Sequence, residues 1–462
     1  MRVPLVVALT LGGVFGALAA LVPVNDTDLF WHLATGQRTL SLGLVRSDVF
    51  SWTIAGRPLL LDQWLGDVLI AVSYTLGGWR GILALRAIAV FGLVACTTGA
   101  ALAAAPRRPL VAVLASLPAI TLTRFVWNDR PELIGFAFFA ALLVILRDSR
   151  TRLLVATVPL LGIWANLHGS YALGLALTLV VCAERAFADP PRRGRLALIA
   201  LAAAAATLVT PAGFATWTLS GGHFLAPPRY IQEEGVPDLR MPYGFVFGIT
   251  LGLVIATAFL SRARGWREAV ILVPIAFVSL TALRHMPFLA IAAAPYLASQ
   301  APQALAWLAD ALRIPSRRPS PPATVLPRMA APVAAVAALA MVLAGVASAA
   351  SAPDERGYPA AALASLPPGG GLLNSYDWGG WLIWSAPATP VFIDGRIFPY
   401  LPDVLDDYRA IVGVHADWQE VGARRGVRAL LLRPTDAVAV RARELGWRVI
   451  SASESYVLLA RP

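Results

Sequence analysis

The sequence predicts a polytopic α-helical membrane protein, with about eleven spanning helices over residues 1–350, followed by an extracytoplasmic α/β domain over residues 351–462. Two observations carry this reading. Of 462 residues, 58% are hydrophobic and only 14% charged, where a soluble domain carries about 25% charged residues. The basic residues are all arginine and fall in clusters between apolar runs long enough to cross a bilayer. On a soluble surface, a formal charge of +11 would point to nucleic acid. Gathered at the ends of apolar runs it is a topology signal, so no nucleic-acid partner is expected.

The apolar runs lie near 4–24, 82–105, 109–125, 132–147, 152–166, 170–188, 195–210, 243–261, 268–284, 286–300 and 329–350. Arg2 precedes the first; PRRP (106–109), RDSRTR (147–152), PPRRGR (190–195), SRARGWR (261–267) and RIPSRRPS (313–320) follow successive pairs. Cytoplasmic loops carry the excess of arginine, which places the N-terminus inside a bacterial cytoplasmic membrane and the C-terminus outside it. The first run reads as an anchor rather than a cleaved leader, because more spans follow it and no convincing small-residue cleavage site precedes NDTD. Residues 25–81 exceed a turn, and the apolar stretch WLGDVLIAVSYTLGGW within them is short for a span, so interfacial or re-entrant helices are expected there. Cys96 and Cys182 lie in apolar runs with no ligand at metal spacing and read as small core residues.

Past residue 350 the pattern changes. Short β-type runs (VFID, ALLLR, WRVIS, YVLLA) alternate with charged helical stretches, DVLDDYRAIVG and AVAVRARELG, the signature of a mixed α/β domain.

With sidedness assigned, the polar residues collect on the outer face. Asn25, Asp26, Asp28 and His32 follow the first span. Asn128, Asp129, Arg130 and Glu132 join the third and fourth, and Asn166 and His168 the fifth and sixth. Glu233 and Glu234 lie in a long outer loop, and Arg284 with His285 closes a later junction. The inner loops are arginine, proline and serine with few acids, so helix ends meeting water do not account for the asymmetry. A shared polar cavity near one membrane boundary does, since an ionisable group in the bilayer costs at least about 2.5–3.5 kcal/mol.

The acidic pair Asp26-Thr27-Asp28 after the first helix, followed by a helical bundle and a C-terminal domain, resembles the GT-C superfamily of integral membrane glycosyltransferases. NDTDLFWHLATGQ, WNDRPELIGF, WANLHGSYALG, ALRHMPFLA, NSYDWGGWLIW and VFIDGR resemble a group of bacterial polytopic proteins related to that superfamily. In the oligosaccharyltransferase branch a Trp-Trp-Asp-Tyr-Gly motif opens the soluble domain and holds the acceptor peptide. Tyr376-Asp377-Trp378-Gly379-Gly380 occupies a similar place here, in a different residue order. That branch also draws a glutamate from an outer loop, and Glu233 or Glu234 is similar in position.

The resemblance implies a GT-C-like fold and transfer of a sugar from a polyprenyl-phosphate donor to an extracytoplasmic acceptor, a cell-envelope glycan, lipid or protein. Asp28 is then the expected base or acceptor-orienting carboxylate, with Asp26 as second choice. A helix over 28–36 sets His32 on the face of Asp28 and Trp31 a turn away; the alternative for Asp28 is an N-cap. Arg130, Arg284, His285 and His168 are candidates for holding phosphate, and snorkelling arginines and helix-end histidines are the alternatives. A divalent cation, Mg or Mn, through Asp28 with Glu233 or Glu234 is a further expectation. Glu132, Asn166, Tyr376, Asp377, Trp378, Asp394 and Arg396 complete the expected substrate-binding set. Asp394 with Arg396 reads equally as a buried bridge fixing a turn. A transporter would place charges near the midplane of repeated broken helices, which the sequence does not show. A scaffold would tolerate loss of Asp28 and His32.

Overall fold

The computed structural model describes residues 3–59, 62–148, 150–219, 232–261, 266–313 and 330–462. Arg2 and the basic segments 262–265 and 314–320 lie outside them. Contacts divide the chain into two compact units, Met1–Val22 with Leu83–Ala349 and Pro23–Ile82 with Ala350–Pro462. The segment after the first helix thus belongs with the C-terminal residues.

The first unit is helical: α1 (Val3–Ala19), the second half of α3 (Trp64–Ala104), α4 (Pro109–Thr123), α5 (Pro131–Arg147), α6 (Thr157–Leu167), α7 (Tyr171–Ala188), α8 (Arg193–Ala206), α9 (Pro242–Leu260), α10 (Trp266–Thr281), α11 (Met286–Ala311) and α12 (Ala330–Ser348). Each apolar run expected to span coincides with one of these helices. Among the described residues four helical segments, Trp64–Ala104, Pro109–Val126, Tyr171–Ala188 and Pro242–Leu260, are long and apolar enough to cross a membrane.

Side-chain placement in α9 fits lipid rather than water. It buries Gly244, Thr250 and Thr257 and exposes Phe245, Ile249, Leu253, Ile255 and Phe259. Phe247 and Val254 are buried on the same side, and the outward face carries large apolar side chains, as where the solvent is itself apolar. The threonine hydroxyls donate to carbonyls one turn back, Val246 and Leu253, so neither is left unsatisfied. α11 is the central helix, buried over most of its length and packed on α4, α9 and α10. Phe288 at its start meets Phe136 and Phe139 of α5 with ring centroids 4.7 and 4.8 Å apart.

One ion pair is sealed in this unit. Arg86 of α3 lies 3.2 Å from Asp129, with both side chains almost wholly buried, and its guanidinium also donates to the Val22 carbonyl.

The second unit joins α2 (Leu29–Leu42) and the first half of α3, which bends at Gly78 (φ 56°), to a four-stranded sheet. The strands are β1 (Leu372–Asn374), β2 (Ala429–Leu432), β3 (Arg448–Ala452) and β4 (Val457–Ala460), in the order β1-β2-β4-β3. β1 and β2 run parallel, the other neighbours antiparallel. Short helices α13 (Gly379–Ser385), α14 (Asp403–Val412), α15 (Trp418–Arg425) and α16 (Ala437–Glu444) complete it. VFID is not a strand of the sheet. Its backbone finds other partners: Val391 exchanges hydrogen bonds with Phe50 and Trp52, while the Asn374 amide bonds Phe392 N–H and Ile393 C=O. Asn374 therefore does for this segment what a neighbouring strand would have done.

Replacing Arg86 by Met leaves the Asp129 carboxylate buried without its guanidinium, which should cost about 3–5 kcal/mol, whereas Arg86→Met with Asp129→Leu should recover most of it. Thermal unfolding of the full chain in detergent reads both.

A second tether responds to acid. Arg57 holds Asp403 at 2.8 Å, and that hydrogen bond is the chief cause holding the Asp403 carboxyl at about 2 against an ordinary 3.8. Its stabilisation is complete above the unfolded value and is lost as pH falls toward 2. Wild type and Asp403→Asn should therefore differ in unfolding midpoint above pH 4 and converge near pH 2.

Candidate active site

Three separate sequence motifs meet in the second unit. α2 begins after Asp28, whose own backbone is already α-helical (φ −79°, ψ −23°) and whose carboxylate makes no capping hydrogen bond. Asp26 Oδ1 instead accepts the Asp28 N–H at 2.9 Å. The capping alternative therefore does not describe the Asp28 side chain. Gly395 of the IDGR turn packs directly on it: a Cβ at 395 would overlap Asp28 Oδ1 and stand 2.8 Å from its Cγ and 3.3 Å from Trp31 Nε1. Gly380 of the DWGGW segment approaches the same turn, where a Cβ would lie 2.7 Å from the Thr27 carbonyl and 3.3 Å from the Trp31 ring. Only glycine admits backbone this close.

The IDGR turn is itself locked. Asp394 and Arg396 form a buried bridge with hydrogen bonds of 2.8 and 2.6 Å. Arg396 Nη1 reaches Asp48 at 2.7 Å, and the Tyr400 hydroxyl donates to Asp394. Burial alone would lower the Arg396 pKa, but Asp394, Tyr400 and Asp48 raise it well above the ordinary value. Ile397 next to it has φ 39°, ψ −51°, and Phe398 N–H bonds the Arg396 carbonyl across it at 2.5 Å, a γ-turn of the rarer, strained hand. Asp394 and Arg396 thus sit as the turn-fixing bridge.

His32 turns to a different partner from the expected one. Its Nδ1 shares a hydrogen bond with Asp67 Oδ1 at 2.6 Å, both side chains being almost wholly buried, and its ring stacks on Trp31 with centroids 3.6 Å apart.

Tyr358 stands beside the acidic pair, stacked on Trp381 at 5.2 Å and edge-on to Phe30 at 5.5 Å. Burial first, then the charges of Asp26, Asp377 and Asp28, pushes its hydroxyl up to about 12, so it remains a neutral donor at pH 7. Asp377 pairs with Arg433 at 2.6 Å. Trp378 is buried and bonds the Gly357 carbonyl, and Tyr376 N–H donates to Tyr408.

The remaining predicted residues belong to the first unit. Arg284 lies 2.6 Å from Glu234 and 4.0 Å from Glu132, and Arg130 lies 3.7 Å from Glu233. His168 Nδ1 accepts Ser170 N–H at 3.2 Å, a helix-start arrangement. Asn166 bonds the Gly162 and Val209 carbonyls, and His285 Nδ1 lies 3.2 Å from the Thr281 hydroxyl. Among the described residues no three His, Cys, Asp or Glu side chains stand together as a metal-ligand set. The sequence reading missed Asp67, Asp48, Tyr358 and Gly395. Asp67 carried a signal, as an acid within an apolar stretch; Tyr358 carried none.

A methyl group at 395 has to displace the Asp28 carboxylate. Gly395→Ala should destabilise by about 1–3 kcal/mol, and most of that loss should vanish in the Asp28→Ala background, a coupling that a double-mutant cycle of unfolding midpoints measures.

No family profile matches the chain, and no curated protein matches it. Among solved structures, the Archaeoglobus fulgidus oligosaccharyltransferase tethered with an acceptor peptide containing the NVT sequon superposes with a TM-score of 0.55 at 11% identity, covering 92% of this chain and 68% of that one. The oligosaccharyltransferase AglB of the same organism, in complex with an inhibitory peptide and a dolichol-phosphate, gives 0.47 at 12% identity over 93% and 69%. At such identity the likeness is one of fold. In fold, this chain is distantly similar to archaeal oligosaccharyltransferase.

Proposed function

We propose that the chain is a GT-C-type membrane glycosyltransferase that moves a sugar from a polyprenyl-phosphate-linked donor to an extracytoplasmic acceptor, a glycan, lipid or protein of the cell envelope. The observation that carries this reading is the Asp28 carboxylate. It lies on the Gly395 backbone at the start of α2 and shares its surroundings with Asp26 and the neutral Tyr358 hydroxyl. The fold likeness to a protein solved with a tethered acceptor peptide supports it.

Asp28 takes the proton of the acceptor hydroxyl as that oxygen attacks the anomeric carbon. The bond from that carbon to the phosphate oxygen breaks, and the electron pair leaves with the polyprenyl phosphate. Asp26, which holds the Asp28 amide, fixes the carboxylate's backbone. Tyr358 is placed to donate to a sugar or acceptor oxygen. Asp377 and Trp378 are the proposed acceptor contacts from the C-terminal segment.

In the first unit, Arg284 and Arg130 are the groups proposed for phosphate. Two guanidinium groups there meet three carboxylates, so a phosphate has to replace a glutamate on Arg284, and Asp28 is accordingly the stronger assignment. A hard divalent cation takes about six or more oxygen ligands. The described residues present no ready set, and no step above depends on a cation.

The test is sugar transfer by the purified full chain in liposomes across a panel of polyprenyl-phosphate sugars. One donor should be consumed, and Asp28→Asn should lower the rate about 10²–10⁴-fold, the usual contribution of a general base. Absence of transfer from every donor, with cell-envelope glycans unchanged when Asp28→Asn replaces wild type in cells, would favour a scaffold.

A further inference from the structure

Asp67 lies in the first turn of α3, fully buried. α2 is pressed against that turn: a Cβ at Gly36 would overlap the Asp67 carbonyl. From this position the carboxylate grips His32 Nδ1 at 2.6 Å. The hydrogen bond fixes the imidazole's orientation and its tautomer. His32 in turn supports the Trp31 indole, with ring planes 29° apart. The Trp31 Nε1 edge stands 3.3 Å from the point a Cβ of residue 395 would occupy, and Asp28 Oδ1 overlaps that same point. The contacts therefore run in one line, from Asp67 to His32, to Trp31, to the place where Asp28 meets Gly395.

Holding two helices together does not require this chemistry. A buried polar pair is usually no better for stability than apolar side chains of the same volume, and Leu29, Phe30 and Leu33 already seal α2. Among the described residues, neither Asp67 Oδ2 nor Trp31 Nε1 has a hydrogen-bond partner. Holding a carboxyl at this depth with one oxygen unsatisfied is poorly explained by packing alone.

We propose that Asp67 is a positioning residue: acting through His32 and Trp31, it fixes the wall against which the Asp28 carboxylate lies. The kinetic half of the test rests on the function proposed above, and the labelling half does not.

In liposomes, Asp67→Ala should lower kcat at least about tenfold with the donor KM within about twofold, because the lost group touches no substrate. Asp67→Asn, whose amide oxygen still accepts the Nδ1 hydrogen, should keep about a third of the wild-type kcat or more. His32→Asn retains a donor toward Asp67 but not the ring under Trp31, so it should fall with Asp67→Ala and carries the test should Asp67→Ala fail to fold. In the second half, Asp28→Cys in a chain with Cys96→Ala and Cys182→Ala is labelled with a methanethiosulfonate, and adding His32→Asn or Asp67→Ala should change the labelling rate severalfold at a temperature well below the melting point of each variant.

Equal kcat losses in Asp67→Asn and Asp67→Ala, a loss expressed in KM, or an unchanged labelling rate at position 28 would overturn the proposal. If wild type transfers no sugar, the function fails and the labelling rate alone decides: a changed rate sustains the positioning role, an unchanged one ends it.

Discussion

The Arg396 guanidinium is the fixed point of the second unit. It binds Asp394 within its own turn and Asp48 from the segment after α2, under the rings of Phe50 and Tyr400. Residues more than three hundred positions apart are thereby joined at one buried cation. Gly395 is its immediate neighbour, so the position of the backbone beneath Asp28 follows from where Arg396 is held. The strained γ-turn at Ile397 persists because both of its sides are fixed, one by the ion pair and the other by the Tyr400 hydroxyl.

Each unit contains a buried arginine with a carboxylate: Arg86 with Asp129 in the first, Arg396 with Asp394 and Asp48 in the second. Such pairs contribute little net stability, because desolvation offsets most of the attraction, but losing one partner is expensive. Their effect is on geometry. An apolar contact tolerates sliding, whereas a guanidinium held by several oxygens has one satisfactory arrangement. In the second unit that arrangement holds the Gly395 backbone, which leaves no room for a Cβ beside Asp28.

The glycines of DWGGW and IDGR belong to the same account. In the sequence they look like turn residues beside acids. In the structure Gly380 and Gly395 are points of contact, where the chain touches the start of α2 with backbone instead of side chain, and Gly379 packs on the Ile393 carbonyl and Asp394. The aromatic residues between them fill the remaining volume: Trp378 and Trp381 are buried, and Tyr358 is stacked on Trp381. The acidic pair consequently faces a wall built from residues near 358, 380 and 395.

The sequence by itself determined the helical membrane class, the helix positions and the change of pattern past residue 350, and it singled out Asp26 and Asp28. These are local properties, legible in apolar run length, arginine clusters and short motifs. It left open whether Asp394 and Arg396 bind a ligand or each other, and it placed His32 with Asp28 because helical spacing permits that. Tertiary structure decided both. Asp48 and Asp67 are not adjacent in sequence to the residues they meet: Asp48 joins Asp394 on Arg396, and Asp67 holds His32 Nδ1 at 2.6 Å. VFID was read as a strand from its apolar, β-branched content. The Asn374 side chain took the place of the partner strand, and no periodicity records a hydrogen bond made by a side chain from elsewhere in the fold.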